Sequence, residues 1–255
     1  MTNRTVTSAA GTEIAWSSQG SGSPLIMVHC VATSRAATPQ TTLPSVLAEH
    51  FTVFTYDRRG TGRSSNTQPY AVEREFEDLT AIIDLAGRPA DVYGFSSGAT
   101  LAMLAAIGGV AIRRLALLEP PLFADPDPDF TARTEAQRRL DHDVADARTW
   151  FNRDIVGVPE EMVAQFPAPS DEDLHNIRTI VHELTFLPGT NPERFSKVPV
   201  PTLLLASDHT ASEILEWAEQ LEHAIPDSTR TVLPGQWHGV DDHALDSAIA
   251  AFLCP

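Results

Sequence analysis

The sequence predicts an α/β fold, in which a mostly parallel, doubly wound sheet carries an inserted helical segment. In the first half of the chain, continuous apolar runs typical of strands buried on both faces alternate with amphipathic helical patterns. A linker rich in proline and aspartate, residues 119–129, interrupts this alternation, and residues 131–184 then show helical periodicity only. The strand pattern returns at residue 201. Together these observations indicate one large α/β core interrupted by an insertion.

The first half supplies a hairpin and the buried strands of the predicted core. Residues 4–9 and 13–17 alternate weakly around Gly11, a pattern typical of an antiparallel hairpin. Continuous apolar runs predict strands, and apolar residues at helical spacing predict the helices between them. The strands are expected at 25–28, 51–56, 90–94 and 115–118, and the helices at 40–49, 70–86 and 97–107. This spacing is typical of strand–helix–strand units, whose strands run parallel.

The second half supplies the insertion and the end of the sheet. Leu140, Val144 and Trp150 predict one helix, and residues 158–163 and 174–184 predict two more. We therefore expect residues 122–196 to form a helical cap, and residues 1–121 and 197–255 to form the core. The core then continues with a strand at 201–206, an amphipathic helix through Ile214 and Leu221, a strand at 229–233 and a closing helix at 242–253 begun by Asp241.

Composition limits the partners and the compartment. The formal net charge of -16 repels nucleic-acid backbones and anionic membrane surfaces, so we expect neither as a partner. We find no apolar stretch typical of a signal peptide or a membrane span, and the two cysteines, Cys30 and Cys254, form no disulfide framework. We therefore expect a cytoplasmic protein that acts on a small-molecule substrate. The sequence leaves open whether the chain forms a homo-oligomer.

Residues 94–98, Gly-Phe-Ser-Ser-Gly, match the pattern G-x-S-x-G between a predicted strand and a predicted helix. This pattern is typical of a nucleophile elbow, in which the glycines allow a tight turn and the serine, Ser96, points outward. A serine hydroxyl is a weak nucleophile unless a base takes its proton and a third group orients that base. A histidine and a carboxylate are therefore expected elsewhere in the chain.

Active residues in doubly wound sheets gather beyond the carboxyl ends of the strands. His238 follows the strand that ends near Leu233, and Asp208 lies two residues beyond the strand that ends at Ala206. We therefore predict a triad of Ser96, His238 and Asp208. Glu119 also ends a predicted strand and is the alternative acid.

Five motifs in this order resemble those of serine-type α/β-hydrolases over nearly the whole chain, in particular a capped esterase or lactonase-like member. The motifs are Val-His-Cys at 28–30, Tyr-Asp-Arg-Arg-Gly-Thr-Gly-Arg-Ser at 56–64, Gly-Phe-Ser-Ser-Gly at 94–98, Leu-Ala-Ser-Asp at 205–208 and Gly-Gln-Trp-His at 235–238. The resemblance implies an α/β-hydrolase fold. It also implies an oxyanion hole made by the backbone N–H groups of Ser97 and of Val31 or Cys30. Cys30 departs from the family pattern, which usually has glycine there.

We therefore predict a serine hydrolase that cleaves a carboxylic ester, lactone or thioester through an acyl-Ser96 intermediate. Aromatic residues in the insertion favour an apolar or aromatic substrate. Five residues are expected to line its pocket: His29, Phe95, Trp150, Phe186 and Trp237. A serine nucleophile argues against the carboxylate-based chemistry of epoxide hydrolases and haloalkane dehalogenases.

Other functions remain open. A carbon–carbon hydrolase or a perhydrolase would use the same triad, and a lyase or cyclase would use the pocket without acyl transfer. A ligand-binding receptor on the same fold would typically have lost a triad member. We predict no metal and no cofactor, because phosphate-binding glycine motifs are absent and Asp241 and Asp242 are explained better by a helix start than as metal ligands.

Overall fold

The computed structural model describes residues 4–87, 89–163 and 166–254, so both ends of the predicted core, residues 1–3 and 255, lie outside the described residues. Within these ranges nine strands form one sheet in the order β1-β2-β4-β3-β5-β6-β7-β8-β9. Their bounds are β1 Arg4–Thr7, β2 Glu13–Gly20, β3 Ser23–Val28, β4 Phe51–Tyr56, β5 Ala90–Phe95, β6 Ile112–Leu118, β7 Thr202–His209, β8 Ser228–Gln236 and β9 Gly239–Val240.

The described residues also form eleven α-helices. Their bounds are α1 Leu43–Leu47, α2 Val72–Ala86, α3 Ser97–Ile107, α4 Thr131–His142, α5 Val144–Trp150, α6 Glu160–Val163, α7 Asp171–Asn176, α8 Ile180–Phe186, α9 Pro192–Phe195, α10 Ser212–Ala224 and α11 Asp242–Leu253. A π-helical turn, Phe151–Ile155, follows α5, and a 3₁₀ turn, Ile177–Thr179, joins α7 to α8.

The six strands from β3 to β8 run parallel, and the hairpin of β1 and β2 and the short β9 add antiparallel pairings at the two ends. The predicted α/β class with a mostly parallel sheet is therefore confirmed. The parallel strands have apolar residues on both faces because helices cover both sides of the sheet.

Successive strand residues enter two different cores, as the two-residue period of a strand requires. Ile26 and Val28 of β3 pack with α2, α3 and α10 on one face. Leu25 and Met27 of the same strand pack with α1 and α11 on the other face. The sheet is thus wound on both sides, with its carboxyl ends along one edge.

Helices α4 to α9 lie between β6 and β7, where the insertion is predicted. The helix predicted through Leu140, Val144 and Trp150 is wrong, because the structure divides it into α4 and α5. Asp143 takes an extended backbone conformation, with φ -154°, and its carboxylate accepts the N–H groups of Ala145 and Asp146. Aspartate favours this role over a place inside a helix, so it starts a new one.

The helices of the insertion share a third apolar cluster, which also packs against the loop after β3. Its buried members come from α4, α5, α8 and the turns beside them, and Val31 and Ala32 of the loop pack against it. The insertion therefore contacts the core beside the carboxyl edge of the sheet.

Two strands at this edge differ from the prediction. β7 continues to His209, so Asp208 lies inside a strand instead of in the loop beyond it. β8 continues to Gln236 and pairs with β9 through a turn that contains Trp237 and His238. These changes decide which carboxylate reaches His238.

The closing helix α11 begins where the sequence predicts. The carboxylate of Asp241 accepts the N–H groups of His243 and Ala244, which have no partner within the helix. Among the residues that the structure describes, no helix has the length and the apolar character that crossing a membrane would require.

Candidate active site

Ser96 lies at the tip of a strained turn between β5 and α3. Its φ of 51° and ψ of -124° are a conformation that L-residues rarely adopt. A Cβ on Gly94 would lie 2.5 Å from Ala99 Cα, and a Cβ on Gly98 would lie 2.4 Å from the carbonyl oxygen of Val28. Only glycine fits at both positions, so strand and helix pass closely and Ser96 stays partly exposed.

His238 lies in the turn between β8 and β9, with its ring beside the elbow. The ring packs edge-on against Phe95, the residue before Ser96, with centroids 5.4 Å apart and planes at 80°. The Trp237 ring lies 4.4 Å from that of His238. The Nδ1 atom of His238 lies 2.5 Å from Oε2 of Glu119. Because Nδ1 faces this carboxylate, Nε2 is the nitrogen left for proton exchange.

Glu119 directly follows β6 and is 1% exposed. Its Oε2 also accepts the backbone N–H of His238 at 3.2 Å, and its Oε1 accepts the N–H and the hydroxyl of Ser207 at 2.9 and 2.6 Å. Burial alone would raise the pKa of Glu119, but the contacts with His238 and Ser207 hold it below its usual value. Glu119 is therefore ionised at neutral pH and lies against the Nδ1 side of the His238 ring.

The structure does not bring Asp208 to His238. The Asp208 carboxylate accepts the N–H of Gly235 at 2.9 Å and lies 2.7 Å from Nδ1 of His209, with 40% of the side chain exposed. The physical reason is the length of β7, since its last residues direct Asp208 toward β8 and solvent. The carboxylate beside His238 is the alternative acid, Glu119.

The N–H groups expected to form the oxyanion hole differ in their availability. Ser97 is the first residue of α3, so its N–H has no acceptor within the helix and lies at the positive end of the helix dipole. The N–H of Val31 donates to Oγ of Ser97 at 2.8 Å. Val31 is therefore already paired, and the neighbouring N–H of Cys30 is the alternative donor.

The Cys30 side chain packs beside the core cluster of α1 and α11, with Sγ 3.9 Å from Oγ1 of Thr33. Burial raises the pKa of the Cys30 thiol to about 11. At neutral pH the thiol is therefore protonated and a poor nucleophile, as expected for a residue that fills space.

A buried ion-pair network lies directly behind Ser97. The Ser97 hydroxyl donates to Oε1 of Glu183 in α8 at 3.2 Å. Nη1 of Arg58 donates to the same oxygen at 2.5 Å, and the Arg58 guanidinium also binds Glu75 of α2 at 2.6 and 3.1 Å. Burial raises the pKa of Glu183, and Arg58 opposes that change.

Sequence reasoning missed Glu183. The signal that could have found it is a glutamate next to the apolar Leu184, in a helix otherwise assigned to packing. The partner, Arg58, belongs to the motif at 56–64, in the turn after β4. Its neighbours hold this turn: Asp57 accepts the N–H groups of Arg35 and Arg63, and Arg59 pairs with Asp78.

The residues expected to line the pocket fall into different environments. Phe186 is 3% exposed and packs in the main core, so it is not a pocket residue. His29 is also buried, and burial lowers its pKa to about 4. Trp150 lines an open groove of about 430 Å³ within the insertion, together with Phe123, Ile155 and Leu184. Neither Ser96 nor His238 lines that groove.

Phe95 and Trp237 are the expected pocket residues that contact His238. Across residues 4–87, 89–163 and 166–254, no group of three or more His, Cys, Asp or Glu side chains is arranged to hold a metal ion.

A family model described as the alpha/beta hydrolase family matches residues 25–252. The crystal structure of an alpha/beta hydrolase from Sphaerobacter thermophilus DSM 20745 is similar over 98% of this chain and 99% of that chain, with 39% sequence identity and a TM-score of 0.88. The expected resemblance is thereby confirmed.

Two more distant structures share the fold. An esterase from Rhodococcus sp. ECU1013 is 22% identical over 100% of this chain and 99% of that chain, with a TM-score of 0.73. An enol-lactonase from Burkholderia xenovorans LB400 is 19% identical over 99% of this chain and 100% of that chain, with a TM-score of 0.74. No curated protein matches the chain.

Proposed function

The chain belongs to the α/β hydrolase family, and on that premise we propose that it is a serine hydrolase acting on a carboxylic ester, lactone or thioester. The observation that carries the proposal is the contact between His238 and Glu119, 2.5 Å long, beside the strained elbow of Ser96. We assign Ser96 as the nucleophile, His238 as the base and Glu119 as the acid that orients it.

The reaction begins when Ser96 Oγ attacks the substrate carbonyl and Nε2 of His238 accepts the hydroxyl proton. The C–O or C–S bond to the leaving group then breaks, and His238 returns the proton to that group. Water next attacks the acyl-Ser96 ester while His238 takes its proton. The bond between the acyl carbon and Ser96 Oγ then breaks, and His238 returns the proton to Oγ, which releases the carboxylic acid. Glu119 stays ionised throughout and stabilises the imidazolium that forms twice in the cycle.

The oxyanion is stabilised by the N–H of Ser97 and the N–H of Cys30 in this proposal. The helix position of Ser97 supports the first donor. The pairing of the Val31 N–H with Ser97 Oγ favours Cys30 over Val31 as the second donor. A side chain at Cys30 does not prevent this role, because the donor is the backbone.

The substrate is an uncharged apolar or aromatic small molecule. Phe95 and Trp237 flank the ring of His238, and the apolar side chains of Val31 and Ala32, in the loop after β3, pack against the insertion. The Arg58 guanidinium is neutralised by Glu75 and Glu183, so it offers no free positive charge to an anionic substrate. The names of two fold neighbours, an esterase and an enol-lactonase, fall within the proposed substrate class.

Residues 122–196 act as a cap over the acyl site. The support for this role is the packing of their apolar cluster against Val31 and Ala32, next to the proposed oxyanion hole.

An organophosphonate probe tests the nucleophile directly. We expect intact-mass spectrometry to show one adduct on the protein and peptide mapping to place it on Ser96. Ser96→Ala should abolish the adduct, and His238→Ala should slow its formation, whereas the matched control Ser247→Ala, at an exposed position of α11, should react like the parent. A well-folded parent protein that forms no adduct would contradict the proposal.

A lyase or cyclase is the second candidate, favoured by one observation. The pairing of Val31 with Ser97 occupies one of the two candidate N–H groups that the loop after β3 offers to an acyl oxyanion. Hydrolysis in ¹⁸O-labelled water separates the two functions: a hydrolase places the label in the product carboxylate, and a lyase or cyclase releases unlabelled product.

A further inference from the structure

The Ser97 hydroxyl joins three elements that are distant in the chain. It accepts the N–H of Val31, from the loop after β3, at 2.8 Å and donates its proton to Glu183, from α8, at 3.2 Å. Because a hydroxyl has one proton, donation to Glu183 turns an oxygen lone pair toward Val31. Glu183, a residue of the insertion, therefore sets the orientation of the Ser97 O–H group. That orientation in turn decides whether Ser97 Oγ can accept the N–H of Val31 in the core.

Glu183 is held rigidly in this position. Arg58 donates to both of its carboxylate oxygens, at 2.5 and 3.2 Å, and is itself held by Glu75. The side chains of Arg58, Glu75 and Glu183 are at most 5% exposed. Buried, doubly hydrogen-bonded groups of this kind have little freedom to rotate.

The loop that receives this support needs an anchor. Ala32, next to Val31, has a φ of 54°, a conformation that costs an alanine free energy. The bond from Val31 to Ser97 ties this strained loop to the first turn of α3. Without it, the loop would be free to relax away from the elbow.

We propose that Ser97 and Glu183 are positioning residues of the oxyanion hole. Glu183 directs the Ser97 hydroxyl, and that hydroxyl holds the Val31 N–H, which fixes the neighbouring Cys30 N–H opposite Ser96. The inference rests on the proposed serine-hydrolase function. It adds that the insertion contributes to transition-state binding through a side chain that does not touch the substrate.

Ser97→Ala keeps the backbone N–H of residue 97 and removes only the hydroxyl. We expect kcat for a p-nitrophenyl ester to fall about 10- to 100-fold, with KM changed less than about threefold, because a misplaced donor weakens the transition state more than the bound substrate. The affinity for a trifluoromethyl ketone, which forms an oxyanion on the serine, should fall in parallel with kcat. Ser97→Thr, which keeps a hydroxyl, should restore most of both.

Thr190→Val is the matched control. Its hydroxyl is also buried, accepts a backbone N–H from Phe123 at 3.0 Å and donates to the carbonyl of Leu187 at 2.6 Å, but it joins no part of the elbow. We expect this variant to lose a comparable amount of thermal stability and to keep its kcat and its ketone affinity.

Glu183→Gln and Glu183→Leu test the other end of the link. The glutamine retains an acceptor oxygen for the Ser97 hydroxyl and should keep kcat within about threefold, whereas the leucine should reproduce the loss in Ser97→Ala. If Glu183→Leu does not fold, the comparison of Ser97→Ala with Ser97→Thr still decides the question.

Unchanged or increased kcat and ketone affinity in Ser97→Ala would overturn the inference, because the hydroxyl would then compete for the Val31 N–H. Equal losses of kcat and ketone affinity in Thr190→Val would also overturn the inference, because they would show that the effect of Ser97→Ala follows from lost stability alone. Phosphonate labelling of the parent on Ser96 keeps these outcomes separate from a failure of the proposed function, which would abolish the labelling itself.

Discussion

Glu119 and Asp208 both lie near the carboxyl edge of the sheet, but their surroundings differ. Glu119 is almost fully buried. Its carboxylate contacts Nδ1 of His238 and accepts two hydrogen bonds from Ser207. The Asp208 side chain is 40% exposed, and its carboxylate accepts the N–H of Gly235 and contacts Nδ1 of His209. A buried carboxylate with fixed donors can orient an imidazole with little competition from water.

Glu119→Gln should therefore lower kcat by on the order of 10³- to 10⁴-fold, because an amide does not stabilise the imidazolium and favours the wrong histidine tautomer. Asp208→Asn should change kcat less than about threefold, since the amide oxygen still accepts the N–H of Gly235. Steady-state kinetics with a p-nitrophenyl ester measure both. A larger loss in Asp208→Asn would return the acid role to β7.

The two cysteines should differ in reactivity with pH. Because burial raises the pKa of Cys30 to about 11, roughly one Cys30 thiol in three thousand is ionised at pH 7.5. Iodoacetamide should therefore modify the exposed Cys254 first, and Cys30 only as the pH rises toward 11. Peptide mass spectrometry measures each site. Rapid labelling of Cys30 at pH 7.5 in folded protein would contradict its role as a filler.

At the scale of single elements, apolar pattern predicts the buried strands well and the polar strand ends poorly. The runs at 25–28 and 51–56 lie within β3 and β4, because burial on both faces demands apolar residues. The last residues of β7 are polar: Ser207 and His209 pair with β8 through the backbone, and Asp208 lies at the register shift between them. Such pairing leaves no apolar signal, and it moved Asp208 out of the predicted loop.

Helix starts depend on single side chains and are predicted unevenly. Asp241 was expected to begin α11 and does so, whereas the same residue type at Asp143 divided a helix that was expected to be continuous. Both carboxylates accept N–H groups of a first helical turn. The difference is that apolar residues at helical spacing continue across Asp143, and this spacing concealed the break.

Asp241→Ala should lower the free energy of unfolding by about 1 kcal/mol, because two N–H groups at the start of α11 lose their acceptor. Asp241→Asn is the matched control and should lose much less, since an amide oxygen also accepts these bonds. Urea denaturation of both variants measures the difference. Equal losses would show that the charge of Asp241, and not the hydrogen bonds, stabilises the helix.

At the scale of the whole molecule, polar side chains of α7 and α8 fasten the insertion to the core. Glu172 of α7 contacts the hydroxyl of Ser34, Asn176 accepts the N–H of Gly62 at 2.8 Å, and Glu183 binds Arg58 and Ser97. On the core side they involve the loop after β3, the turn after β4 and the first residue of α3. Helices α7 and α8 therefore help to hold the core residues that surround the elbow.

The sequence predicted the mostly parallel sheet, because buried strands and the helices between them follow from local pattern. It did not predict the contacts between the insertion and the core. Glu183 and Arg58 are 125 residues apart, and their pairing depends on how the insertion packs on the core. Motifs identify which residues carry chemistry, but only packing decides which of them touch.

The charge of the molecule should affect its choice of substrate. With a net charge of -16 and with Arg58 neutralised by two carboxylates, the protein should hydrolyse p-nitrophenyl butyrate with a kcat/KM at least about tenfold above that for the half-ester of succinate. Added salt should narrow the gap, because it screens long-range repulsion. Equal rates, or a preference for the anionic ester, would contradict an uncharged substrate.

The position of the insertion, after Glu119 and before β7, also matters for recombination between relatives. The residues assigned to the nucleophile and the acid both precede the insertion, and the base follows it, so exchange of residues 122–196 would leave all three with one parent. The exchange would still remove the contacts of Glu183 with Ser97 and Arg58, because Glu183 belongs to the insertion and the other two residues belong to the core. In such chimeras the parent that supplies the core would determine which reaction is catalysed. The rate of that reaction would depend on which side chain the other parent's insertion places opposite Ser97.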